Sequence, residues 1–178
     1  MIEIIPNWHP ILVHFTIGLL STSVLFYLAL VVIRSGHPWE PAFQVMAKGC
    51  LWSGTLFAIA TAIAGWFAYN SVAHDTPSHA AMTEHRNWAL ATLSVFIVLA
   101  LWSMRQHLKS TKRAGAMFFL VVVIAGGLLA STGWYGGEAV YRYGLGVMSL
   151  PEVEDGGGDG RSTVEEQRDM GSENGHAH

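Results

Sequence analysis

Charge is scarce in this chain. Of its 178 residues, 13% are charged and 51% are hydrophobic, whereas ordinary soluble domains carry about 25% charged residues. That shortage points to lipid as the solvent. The formal net charge is -3 with histidines neutral, which argues against a nucleic-acid binder. Cys50 is the only cysteine, so there is no internal disulfide and no compartment to read from cysteine usage. Also absent are the Cys-x-x-Cys-His of covalent haem, the Walker loop and the Gly-x-Ser-x-Gly elbow.

What is present is four long apolar runs: Ile11 to Ile33, Gly49 to Tyr69, Asn87 to Met104 and Ala114 to Tyr135. Each approaches the roughly 20 residues that cross a bilayer core as a helix. Backbone groups in lipid must be satisfied within their own segment, so helices are the expected spans. The first run has no basic flank before it and no small-residue cleavage site after it, and it reads as a retained helix and not a signal peptide. The expected fold is therefore all-α: a four-transmembrane-helix bundle over residues 1–150 with spans near 11–33, 49–69, 85–104 and 114–135. Small residues in the second and fourth runs (Gly54, Ala58, Ala62, Gly65; Gly126, Ala130, Gly133) recur every three or four positions, a spacing that allows close helix contact. Residues 151–178 are Gly-rich, acidic and almost without large apolar side chains. They are expected to form a disordered tail.

Arg34 and Lys48 fall between the first two runs, and Arg105, Lys109, Lys112 and Arg113 between the last two. Near the helix ends on the other side there are only Arg86 and Arg142. The positive-inside rule then places both termini outside the cytoplasm, which for a Gram-negative inner membrane is the periplasm. Trp8, Trp39, Trp66, Trp88, Trp102 and Trp134 all fall near span ends, as aromatic belts do.

On this topology His9, His14, His74, His79 and His85 share the outer side, and only His37 and His107 lie inside. His14 follows Ile-Leu-Val and precedes an uninterrupted apolar stretch. An ionisable group in such a place is costly, so function is its default explanation. Helix three is expected to begin near Ser78 and to carry His85 at a similar depth. Two imidazoles on different helices at one level can clamp a haem iron axially, and His14 and His85 are the expected pair. Arg142 is a candidate partner for a haem propionate. Gly136 and Gly137 are candidates for close approach of a flat ligand or for a helix stop. Glu138, Tyr135 and Tyr141 are candidate partners for a quinol. Interfacial hydration accounts equally well for a boundary histidine. A copper or zinc site is the alternative, using His74, Asp75 and His79 with Met82 nearby, or His9. No span holds an ionisable group at its middle, which argues against an ion-coupled carrier.

The segments "HPILVHFTIGLL" and "GGEAVYRYGLGV" together resemble the signatures of a bacterial membrane-protein family of unknown function, DUF2231. The resemblance covers roughly His9 to Val147 and implies four spans. Some relatives occur beside or fused to Rieske-type or cytochrome domains, which points to respiratory electron transfer. It singles out His9, His14, Gly136, Gly137, Tyr141 and Arg142. Thr16 stands where the family pattern has proline, and Tyr143 where it has histidine. The resulting expectation is a b-type haem protein of the inner membrane, with both termini periplasmic and the haem near the periplasmic face. Other redox subunits or a cytochrome, and a quinone, are its expected partners besides the bilayer. It would serve as an electron-transfer or accessory subunit more than as a stand-alone enzyme. The alternatives are a haem-free accessory or assembly subunit of a redox complex, and a copper- or zinc-binding protein.

Overall fold

The structure, a computed structural model, describes residues 8–71, 76–108 and 115–147. Four helices account for nearly all of them: α1 (His9–Val32), α2 (Glu40–Ser71), α3 (Thr76–Leu108) and α4 (Ala116–Tyr141). All four are long and apolar enough to cross a membrane. Their mid-helix flanks expose large apolar side chains, among them Leu25, Leu56, Val98 and Val123, a surface that water would penalise and lipid accepts. The expected tail, 151–178, lies outside the described residues.

The boundaries differ from the apolar runs in three places. At 32 and 33 residues, α2 and α3 measure about 48–50 Å at 1.5 Å per residue, well beyond the ~30 Å hydrocarbon core. The apolar run marks only the stretch in lipid, and each helix continues past it. Helix α3 opens at Thr76, with Pro77 in its first turn and Ser78 already buried. Helix α4 runs through Gly136-Gly137 to Tyr141, so the two glycines do not stop it. The chain turns only later, where Gly144 takes a left-handed φ of 63°, a conformation glycine adopts without strain.

The two helix pairs, α1–α2 and α3–α4, are built on one register. The buried residues of α1 are Thr16, Leu20, Ser23 and Tyr27. A shift of 76 positions, as from 16 to 92, carries them onto Thr92, Phe96, Leu99 and Ser103, all buried in α3. In α2, Ala47, Leu51, Gly54 and Ala58 are buried. A shift of 71, as from 47 to 118, carries these onto Phe118, Val122, Ala125 and Leu129 of α4. The bundle is thus two copies of a helix hairpin. Equivalent residues that touch each other mark the pseudo-two-fold axis between them: Tyr27 and Ser103 share a hydrogen bond of 3.2 Å. In sequence order the helices form a ring, with α1 and α3 facing each other across the axis and their Cα atoms more than 8 Å apart.

Candidate functional site

The start of α1, the end of α2, the start of α3 and the end of α4 lie together at one end of the bundle, here called the upper end. His9 and His85 meet there across the axis, and they too are 76 positions apart. Their ring centres are 6.4 Å apart, with planes at 78°. Each ring is fixed by the helix beside it. His9 donates from Nδ1 to the Thr61 carbonyl at 3.1 Å, and His85 from Nδ1 to the Thr132 carbonyl at 3.2 Å. With the proton held on Nδ1, the lone pair of a neutral ring belongs to Nε2.

Glycine makes room for both rings. A Cβ on Gly65 would stand 3.0 Å from His9 Cε1, and one on Gly136 would stand 2.9 Å from His85 Cε1. Gly65 follows Thr61 by four residues, as Gly136 follows Thr132, so carbonyl and gap sit one turn apart on the same face. Below the rings, threonine hydroxyls tie each hairpin together. Thr16 and Thr61 are 2.8 Å apart, and Thr92 and Thr132 are 2.7 Å apart. The Thr61 hydroxyl donates to the Phe57 carbonyl and the Thr92 hydroxyl to the Leu128 carbonyl. Residues 57 and 128 are again equivalent.

The structure therefore brings His9, and not His14, across from His85. Five residues separate His9 from His14, which is about 140° around a helix at 3.6 residues per turn. His14 is exposed and donates from Nδ1 to the Pro10 carbonyl at 2.6 Å. Gly136 lies against His85, while Gly137 has open space where a Cβ would be. Tyr141 is 92% exposed, and Arg142 pairs at the surface with Glu138 at 3.0 Å. His79 lies in the first turns of α3 and not in a loop. Its Nε2 is 3.1 Å from the Tyr69 hydroxyl. His74 and Asp75 lie outside the described residues. Among the described residues, no three His, Cys, Asp or Glu side chains converge as a tetrahedral zinc site would require. Apolar context did not point to Thr16, Thr61, Thr92, Thr132 or Gly65 as parts of this cluster. The shared spacings His-x6-Thr and Thr-x3-Gly in the two halves were the available signal.

At the same end of the bundle, a cavity of about 140 Å³ opens between the start of α3 and the end of α4, lined by Ala80, Ala81, Glu84, Tyr135, Glu138 and Tyr143. Tyr135 is stacked on Trp88, with ring centres 5.6 Å apart and planes at 17°.

Four apolar helices with a polar cluster at one end define the class: a four-span integral membrane protein. Within that class the chain belongs to the DUF2231 family, described as a predicted membrane protein, whose pattern matches residues 6–149. No curated protein and no solved structure matches the chain.

Proposed function

We propose that this protein is a b-type haem carrier in membrane electron transfer, with His9 and His85 as the residues that would hold the iron. The observation that carries the proposal is the opposed pair of rings. A metal–imidazole bond is about 2.0–2.1 Å. With each ring centre roughly 1.1 Å further on, two collinear imidazoles on one metal have centres roughly 6.3 Å apart. The 6.4 Å spacing of His9 and His85 matches that value, and the donor set fits a bis-imidazole iron. When bound, the haem supplies a one-electron iron couple whose potential the axial ligands tune. The protein's own part is orientation. The Thr61 and Thr132 carbonyls hold the Nδ1 protons and direct each ring's lone pair to Nε2, as second-shell acceptors do for metal-bound histidine. Placement in a bacterial inner membrane with periplasmic termini is part of this proposal, supported by Arg34, Lys48 and Arg105 at the lower end.

A second reading has its own support. The same spacing suits a two-coordinate copper ion, and the close seating of both rings against Gly65 and Gly136 favours a small centre. Imidazole serves copper as readily as iron.

The deciding experiment is the absorption spectrum of the full chain, purified in detergent from haem-replete cells. We expect a Soret band that shifts on dithionite reduction, with about one haem per chain. A colourless protein that takes up no added haem overturns the proposal. Stoichiometric copper by elemental analysis then supports the second reading, and a metal-free protein held in a larger complex supports an accessory subunit.

A further inference from the structure

The cavity between the start of α3 and the end of α4 breaks the internal symmetry. The 76- and 71-position shifts that preserve the buried stripes map Glu84 onto Trp8, Tyr135 onto Ala64 and Glu138 onto Phe67. One hairpin thus presents carboxylates and a phenol where the other presents apolar groups. Trp8 and Phe67 are 56% and 66% exposed, as suits a lipid-facing rim. We propose that the polar cavity binds a hydroxylated aromatic ring, the headgroup of a quinol. The proposal rests on the electron-transfer reading above, for which it names the donor class.

Three observations support it. A cavity of about 150 Å³ holds one benzene ring, and this one is about 140 Å³. Its walls combine an aromatic face, Tyr135 backed by Trp88, with carboxylate acceptors for phenolic hydroxyls. Glu138 gives Oε1 to Arg142, yet a carboxylate has about four acceptor positions. The place is also apt. Glu84 precedes His85, and Tyr135 precedes Gly136, against which the His85 ring rests. Ala81 of the lining lies one turn before His85 on the same face of α3, so the cavity opens at the same end of the bundle as the pair.

The test uses an alkylresorcinol, which carries two phenolic hydroxyls and cannot become a quinone. Binding is followed by calorimetry on the full chain in detergent. It is independent of any metal centre, so it separates this proposal from the haem reading, which the absorption spectrum tests. We expect saturable binding that weakens tenfold or more in Glu138→Gln and in Tyr135→Ala, and stays unchanged in Arg105→Gln at the lower end. Near-ultraviolet circular dichroism identifies any variant that fails to fold, and Tyr135→Phe then replaces Tyr135→Ala, with a smaller loss expected. Non-saturable uptake, or equal binding by all variants, overturns the proposal. Saturable binding of tetramethylammonium with no resorcinol binding also overturns it, and marks a cation site instead.

Discussion

The two hairpins of this bundle agree inside and disagree at the edges. Thr16 matches Thr92 and Leu20 matches Phe96, each pair on the buried stripe of its helix, and half-buried His9 matches half-buried His85 in phase with it. Towards the lower end the agreement is of position only. Small Ala47 corresponds to Phe118 and large Tyr27 to Ser103. Tyr27 bonds Ser103 and packs on Phe118, with ring centres 5.1 Å apart. Across the axis a large side chain thus meets a small one, Tyr27 against Ser103. At the upper end the axis keeps identical imidazoles on identical supports. Packing alone would tolerate a large–small exchange there too. Two like polar groups, each held by a carbonyl, set that layer apart from the apolar one below it.

The sharpest way to break this comparison is to treat its two halves as equals. On the haem proposal, His9→Ala and His85→Ala should each abolish the chromophore completely, while His14→Ala, on the exposed face, should retain it nearly intact. The readout is Soret absorbance per chain. Unequal loss between His9 and His85 would end the idea of a shared centre. Smaller but still large is the effect expected at Gly54. A Cβ there would meet Leu20 Cδ2 at 2.7 Å and Leu19 Cβ at 3.1 Å. Overpacking of this kind costs about 1–3 kcal/mol, so Gly54→Val should lower the thermal midpoint in detergent by several degrees. The equivalent position in the other hairpin, Ala125, already buries a methyl group. Gly127, with open space around it, should accept alanine with a change within about 1 kcal/mol.

The number of helices and their membrane character were legible because a span needs only length and apolar content. The site was legible in part. Apolar neighbours singled out His14, yet helical phase decides which imidazole faces the axis. His9 lies seven residues before Thr16, close to two full turns, and so shares its buried stripe. His85 stands in the same relation to Thr92. That repeated interval was in the sequence, but the residues between are too different for the repeat to show without the burial pattern. The extensions of α2 and α3 were not legible from apolar content because they run beyond lipid, where polar residues no longer argue against a helix. The path of α4 through Gly136 was hidden for another reason. Glycine there is kept for the His85 ring, and packing of the helix outweighs its poor propensity of about 1 kcal/mol.

The weakest expected effects concern the bonds that tie each hairpin together. Hydrogen bonds between membrane helices average about 0.6 kcal/mol in double-mutant cycles. Thr16→Val with Thr61→Val, and Thr92→Val with Thr132→Val, should each give a coupling of that size, equal in the two hairpins, by equilibrium unfolding in mixed micelles. The Thr61 and Thr132 variants keep the carbonyls that hold the histidines, so chromophore content should stay unchanged as stability falls. A coupling in one hairpin only would show that the equivalence is one of position and not of energy. Below even this lies Arg142. Its pair with Glu138 joins one side chain 70% exposed to another 27% exposed, and surface pairs contribute about 0–1 kcal/mol. Arg142→Gln should therefore leave the unfolding midpoint within a degree or so. A larger drop would mean that the guanidinium has a second partner at the upper end, and a loss of chromophore in the same variant would identify that partner as the bound group.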